Sequence, residues 1–248
     1  MTVSAEPLIA RVRALWEGLA TAPVSFAPNS GVSGITVVSS PTSRMCPPGW
    51  AGIVVLGDAA IVTAPTEHAA ETIQRAIAGR PVHGLVDPET LGRLIPLAEV
   101  LGPASLAYLD QADFQPARPD GIVVEQVKAD HPDLRRLAEA AGADDAGESG
   151  IDEITSPAFV VRAGSAGEIV AAAGYRLWPS RTAQISVLTA PVWRGRGLAR
   201  AVGSSTAAYA LELGLLPQWR ARLPESRRVA RALGFRELGT QLSIKIDT

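Results

Sequence analysis

Directly after the apolar run 185–188 and the break Thr189-Ala190-Pro191, the chain reads Arg194-Gly195-Arg196-Gly197-Leu198-Ala199. A strand that turns on glycines and reopens as a helix aims several backbone N–H groups, and the positive end of the helix dipole, at one spot. That spot suits an anion. Glycines at 195 and 197 let the main chain approach a ligand, while Arg194 and Arg196 add fixed positive charge. A pyrophosphate fits such a cradle, and the strand-turn-helix unit around it requires helices packed on a sheet.

The rest of the pattern agrees. Leu8, Ile9, Val12, Leu15, Trp16 and Leu19 share one helical stripe. Residues 22–48, rich in Ser, Pro and Gly, read as loop with a short strand at 35–38. Runs 53–56 and 60–63 about Gly57-Asp58 read as a hairpin, and Thr66 caps a helix closed by Gly79. Asp87-Pro88 opens a further helix that Pro96 is expected to kink, with a strand at 105–109. The Pro-containing stretch 115–120 is the best linker, giving an N-terminal α/β domain at 1–117 and a second domain at 118–248.

Beyond it, 121–127 reads as a strand and Asp130 as the cap of a helix bearing Leu134, Leu137, Ala138 and Ala141. An acidic loop or irregular helix covers 143–157. A hairpin of 158–162 and 169–177 around 164–167 precedes the strand 183–188, the glycine turn, a helix 197–213, a strand 217–221, a helix 225–233 and a closing strand 241–246. This order specifies a mixed sheet with helices on its faces, an α/β or α+β architecture.

Composition narrows the chemistry. A 248-residue chain that is 47% apolar and 19% charged can build substantial cores. No apolar run has the length of a membrane span, and the first six residues lack the order of a secretory signal, so the expected location is cytoplasmic without a membrane partner. Cys46 is the single cysteine and His68, His83 and His131 are scattered, which argues against a metal enzyme. A net charge of −2 argues against a nucleic-acid binder. Its distribution is uneven: from Thr189 onward there are ten basic residues against four acidic, and from Asp110 to Glu153 twelve acidic against four basic. One region suits a polyanion and the other a cation, or both are ordinary solvated faces.

The residues also carry a family resemblance. Arg194-x-x-Gly197-x-Ala199, after a strand and before a helix, resembles the Gln/Arg-x-x-Gly-x-Gly/Ala signature of the GNAT superfamily of acyl-CoA-dependent N-acetyltransferases. Downstream, Ser226 followed by Val229-Ala230-Arg231-Ala232-Leu233-Gly234-Phe235 is similar to that family's second motif. The resemblance covers the C-terminal half. It implies a GNAT-type mixed twisted sheet that binds acetyl-CoA as co-substrate, without metal, and transfers its acetyl group to the amine of a small molecule. An antibiotic or other natural product fits the acceptor class, and a protein or peptide amine is an alternative. The implied assembly is a monomer or a homodimer.

By the same resemblance Arg194, Gly195, Arg196, Gly197, Leu198 and Ala199 hold the pyrophosphate, and Val187, Leu188 and Thr189 pair with the pantetheine arm. The N–H near Leu188 or Thr189 is then the donor to the thioester oxygen. Ser226 lies near the thiol end, or serves simply as a helix N-terminal serine. Arg227, Arg228 and Arg231 are candidates for the ribose phosphate. The departures are informative: Ala230 stands where many relatives carry a tyrosine acid, and Leu223 where an asparagine is common. Strand 183–188 has no carboxylate, which leaves Glu148, with Asp152 and Glu153, as candidate bases on a loop that is otherwise just solvated. Tyr175 and Trp178 either shape the acceptor pocket or belong to the core. The missing acid and base keep a second reading open, a non-catalytic acyl-CoA-binding sensor.

Finally, Val62-Thr63-Ala64-Pro65 parallels Leu188-Thr189-Ala190-Pro191, and Asp87-Pro88-Glu89-Thr90 parallels Leu223-Pro224-Glu225-Ser226. These parallels suggest that the N-terminal half is a degenerate copy of the same fold that has lost its glycine turn.

Overall fold

A computed structural model describes residues 7–26, 34–163 and 167–247. The expected turn at 164–167 and the six-residue N-terminus therefore lie largely outside the described residues. In chain order the elements are α1 (Leu8–Ala20), β1 (Ile35–Ser39), β2 (Ala51–Leu56), β3 (Ala59–Ala64), α2 (Glu67–Ile77), α3 (Pro88–Gly92), β4 (Leu97–Tyr108), β5 (Glu125–Val127), α4 (Pro132–Ala141), α5 (Ala143–Ser149), β6 (Ala158–Arg162), β7 (Ile169–Trp178), β8 (Thr182–Thr189), α6 (Leu198–Glu212), β9 (Leu216–Ala221), α7 (Pro224–Ala232) and β10 (Arg236–Ile246). The chain forms two compact units, residues 1–106 with 237–248, and residues 107–236.

In the first unit β2 and β3 form the hairpin about Gly57-Asp58, β1 runs parallel to β3, and β10 runs antiparallel to β2. Every residue of β2 and β3 is buried. Unbroken apolar runs of this kind belong to strands covered on both faces. Ile53, Val55, Val62 and Ala64 pack with Ala70, Ile73 and Ile77 of α2. Thr66 caps α2 by accepting the Ala69 N–H at 3.1 Å, a contact of the kind worth about 1 kcal/mol.

α3 corrects the expectation of a long helix kinked at Pro96. It stops at Gly92. A residue before proline avoids the helical region, and Gly92 weakens the turn ahead of it, so the chain leaves the helix early and enters a twelve-residue β4 instead of a short strand at 105–109.

The repeat is only partly matched. As in the second unit, a hairpin carries a parallel neighbour on one side. Here, however, that neighbour is β1, from before the hairpin, and a 3-10 turn at Val82–Val86 fills the place between the two helices where the C-terminal half has a strand. Residues 50–110 therefore do not retrace 180–246 element by element.

In the second unit the strand order is β9-β8-β7-β6-β5, with β8 and β9 parallel and the other pairs antiparallel. Leu134 and Leu137 of α4 share a core with Leu188, while Ala207 and Ala210 of α6 share another with Ala183 and Ile185. Alternate residues of β8 thus face different helices, as a two-residue period requires. Residues 115–120 are held down at two points: the Gln115 N–H donates to the Leu233 carbonyl at 3.0 Å and the Ala117 N–H to Ser204 Oγ at 2.8 Å. Gly234 (φ +92°) passes so close to this segment that a Cβ there would overlap the Asp113 carbonyl oxygen, which explains the glycine of the Leu-Gly-Phe turn.

Three boundaries differ from expectation. β5 is three residues long, because Gly121 (φ +74°) and the Ile122-to-Pro119 turn keep the chain off the ladder until Glu125. His131, not Asp130, caps α4: Pro132 takes the first helical position, and His131 Nδ1 accepts the Asp133 N–H. β10 begins at Arg236, directly after the Gly234-Phe235 turn.

Candidate functional site

The parallel pairing of β8 and β9 runs through Thr182–Leu216, Ala183–Pro217 and Gln184–Gln218, and then stops. β8 stays paired with β7 as far as Thr189–Ala171. Past the Gln184–Gln218 pair, whose side chains meet at 2.5 Å, β8 therefore has a partner on one side only. A cleft of about 670 Å³ opens there, walled by Ile185, Val187, Leu188 and Thr189 on one strand and Trp219 and Arg220 on the other. It continues to the glycine turn and the first turn of α6, and reaches α7 at Ser226 and Val229.

Strand alternation tells which backbone groups face the opening. The Ala190 N–H donates to Val170 of β7, and the Arg181 carbonyl accepts from Leu216 of β9. Even-numbered residues of β8 therefore direct their N–H and C=O groups to β7, and odd-numbered ones to the β9 side. Leu188 is turned into the ladder opposite Ala172, with its side chain in the α4 core. The groups that face the cleft are those of Val187 and Thr189, so of the two expected donors it is Thr189 that the geometry presents. Thr189 Oγ1 is also buried without a hydrogen-bond partner among the described residues. A buried hydroxyl left unsatisfied in the wall of a cleft fits a polar ligand there.

The turn itself is open. Gly195 (φ +76°) and Gly197 (φ +78°) are left-handed, and a Cβ at either would meet nothing within 4 Å. Backbone conformation, not crowding, thus accounts for the glycines. Gly197 is the N-cap of the fifteen-residue α6, and no side chain caps its free N–H groups. Arg194 turns back, donating to the Thr189 carbonyl at 3.3 Å and pairing with Asp145 at 2.5 Å. Of the residues expected to hold a cofactor, all but Arg196 line this one cleft; Arg196 stacks on the Trp193 ring, 4.6 Å from its centroid. Of the three arginines proposed for the ribose phosphate, Arg228 is in the wall, bonded to Glu225 at 2.9 Å.

The acidic segment is largely neutralised. Asp145 pairs with Arg194, Glu148 with Arg222 (Nε to Oε1 3.1 Å) and Glu153 with Arg176 (2.5 Å). Glu148 does line the cleft, but as a member of that ion pair. Three of the five carboxylates between 143 and 157 are thus held by arginines of the same unit. Tyr175 is a core residue, stacked on Tyr209 at 6.4 Å, and burial pushes its phenol upward, with Tyr209 adding to the shift. Trp178 instead faces Arg220, whose guanidinium lies 5.4 Å from its ring centroid.

Ser226 is not a cap, since no side chain caps α7. Its Oγ accepts a hydrogen bond from Trp219 Nε1 at 2.9 Å. Trp219, Asp145, Arg200 and Arg220 are lining residues that sequence reasoning did not single out. Two-residue alternation in 217–221 does put Trp219 and Ala221 on one face and Arg220 on the other, but not where β9 leaves β8. Among the described residues no group of three metal-ligating side chains is assembled, and no helix is long and apolar enough to cross a membrane.

Residues 158–240 match the family model of the GNAT acetyltransferase, and this stretch holds the hairpin β6–β7, the parting strands, the glycine turn and the Leu-Gly-Phe turn. Among solved structures the chain is similar to a GCN5-related N-acetyltransferase-like protein from Streptococcus suis, at 16% identity over 96% of this chain and 99% of that one, with a TM-score of 0.47. It is also similar to a GCN5-related N-acetyltransferase from Kribbella flavida, at 20% identity over 64% of this chain and 63% of that one, with a TM-score of 0.48; the match spans under two thirds of that protein. A search of curated proteins finds no match.

Proposed function

We propose that this chain, through the GNAT acetyltransferase domain matched at 158–240, holds acetyl-CoA in the cleft between β8 and β9 and transfers its acetyl group to the amine of a small molecule. The observation that carries the reading is the parting of β8 from β9 after Gln184–Gln218, at a strand that leads straight into the glycine turn and an uncapped helix N-terminus. The free edge of β8 offers an extended ligand main-chain-like pairing, and the turn offers N–H groups to a pyrophosphate at its end. Bound acetyl-CoA supplies a thioester, an activated acyl group that an amine attacks directly.

The chain's own residues then have distinct tasks. The N–H groups of Val187 and Thr189 point to where negative charge develops on the acyl oxygen. Gly195 to Ala199 hold the anionic end. Ser226 Oγ, in the same wall, donates to the departing sulfur. For the amine's proton, Glu148 is a weak candidate because it is tied to Arg222, and a water chain to solvent is the better route. With Asp145, Glu148 and Glu153 paired to arginines, the acidic segment adds little attraction for a cationic amine. We place the protein in the cytoplasm on the same reading.

One observation favours the alternative of a non-catalytic acyl-CoA sensor: Ala230 leaves no phenol at the expected acid position, and the carboxylates lining the cleft, Asp145, Glu148 and Glu225, are each paired with an arginine. Thiol release from acetyl-CoA over a panel of small amines and a peptide amine separates the two. Release that depends on the amine supports transfer, and tight binding without amine-dependent release over the whole panel would support the sensor.

A further inference from the structure

Ser226 has one hydrogen to donate, and its direction is set by a neighbour. Trp219 Nε1–H donates to Ser226 Oγ at 2.9 Å, so that oxygen is engaged as an acceptor and its hydrogen must lie away from the indole. Among the described residues no acceptor takes that hydrogen, and both side chains line the cleft. Nor does Ser226 serve its helix, since α7 has no side-chain cap.

Trp219 is held firmly enough to act as a reference. It is the first residue of β9 beyond the last pair with β8, and it is 4% exposed. Its ring meets Phe235 edge-on at 5.5 Å and 71°. On α6, Gly203 gives it room: a Cβ there would sit 3.2 Å from the ring. An indole packed against Phe235 and Gly203, with its N–H aimed at a hydroxyl that lines the cleft, restricts that hydroxyl to the rotamers that leave its hydrogen away from the indole and free for a ligand.

We infer that Trp219 is a positioning residue: it orients and polarises the Ser226 hydroxyl so that this hydroxyl donates a hydrogen bond to the coenzyme A sulfur, the task left open by Ala230. The inference rests on the acyl-transfer reading of the same cleft. In that transfer the amine nitrogen bonds to the acyl carbon, and the carbon–sulfur bond breaks with its electron pair left on sulfur. The proton that the amine loses balances the one that the thiolate gains through solvent. Ser226 keeps its own proton and lowers the energy of the sulfur anion by hydrogen bonding alone.

The test is the pKa of the coenzyme A thiol bound to the full-length protein, followed by thiolate ultraviolet absorbance, with desulfo-coenzyme A affinity as a second readout. The charged groups around the site, Asp145 and Glu148 of α5, Arg194 and Arg200 at α6, Arg220 of β9, and Glu225 and Arg228 of α7, are common to all variants and cancel in the comparison. A hydrogen bond to an ion is typically worth enough to move a pKa by about one unit, so Ser226→Ala should raise the bound thiol by about that much. Trp219→Phe should raise it by roughly half as much or more, the double variant should match Ser226→Ala, and desulfo-coenzyme A affinity should stay within about threefold throughout.

A thiol pKa unchanged by Trp219→Phe, or raised additively in the double variant, would overturn the assignment. So would loss of desulfo-coenzyme A binding in Trp219→Phe, which would make Trp219 a wall of the cleft and no more. The unaltered protein gives a check that needs no substitution: the Trp219 indole N–H resonance should move further on binding coenzyme A than on binding desulfo-coenzyme A, and equal shifts with both ligands contradict the inference. If the unaltered protein binds neither ligand, the acyl-transfer reading itself fails.

Discussion

Replacing Gly197 by glutamate puts a negative side chain where the cradle should hold one from the ligand. Gly197 is the N-cap of α6 at φ +78°, and nothing lies within 4 Å of an added Cβ, so the side chain enters open space. The left-handed conformation costs a residue other than glycine about 1–2 kcal/mol, and a carboxylate near a helix N-terminus returns about 0.3–1 kcal/mol of it. The net loss of stability is therefore about 1 kcal/mol, a fall of roughly 2–4 °C in melting temperature for a protein of this size.

Binding should suffer far more. At a separation of about 6 Å and an effective dielectric of ~40, each pair of like charges costs about 1.4 kcal/mol. Two pyrophosphate charges bring this to about 3 kcal/mol, or roughly 100-fold in Kd. Gly197→Ala carries the backbone cost without the charge and should lose less than about tenfold in affinity, which separates the two effects. Titration calorimetry with coenzyme A, beside thermal melts of the three proteins, measures both quantities. Gly197→Glu that melts as described yet binds coenzyme A as the unaltered protein does would refute the placement of the anion.

Other outcomes rest on particular contacts. Asp145→Asn releases Arg194 from its 2.5 Å ion pair, so coenzyme A affinity should rise by a few-fold at low salt and the gain should shrink as salt is added; no salt-dependent gain would show that Arg194 does not face the ligand. Gly203→Val must push on the Trp219 ring, and overpacking of this kind typically costs about 1–3 kcal/mol, visible as a lower denaturation midpoint; an unchanged midpoint would mean that α6 and β9 have slack. Burial pushes the Cys46 thiol up to about 11, against a weaker lowering by the Thr63 hydroxyl, so the folded protein holds mostly thiol until pH passes that value. Iodoacetamide labelling should then keep rising with pH between 9 and 11 in folded protein and level off earlier in urea; a plateau near pH 9 in the folded state would contradict it.

The elements that sequence reasoning reads well are those with local causes. The stripe of α1, the Thr66 cap, the Gly57-Asp58 hairpin and the strand-turn-helix at Arg194 to Ala199 are all decided by residues close in sequence, and each lies where its pattern puts it. Features that fail locally are decided elsewhere. α3 ends because Pro96 and the long β4 lie just beyond it, and β1 pairs with a strand of the later hairpin, a long-range choice that no short motif encodes.

The site divides the same way. Gly195 and Gly197 are legible because left-handed turns need glycine. The neutralisation of the acidic segment is not, because Asp145, Glu148 and Glu153 find arginines that are 49, 74 and 23 positions away in the chain. Nor is the Trp219–Ser226 bond, although only seven residues separate its ends, because it depends on β9 leaving β8 at Gln218.

An acyl-CoA that lies along β8 with its anionic end at the start of α6 leaves a defined pattern in the backbone amide shifts recorded as coenzyme A is titrated into the full-length protein. The largest changes should fall at Val187 and Thr189, at Gly195 to Ala199 and at Ser226, while Leu188, bonded into β7, moves less. Shifts confined to other residues, or none at saturating ligand, would contradict that placement.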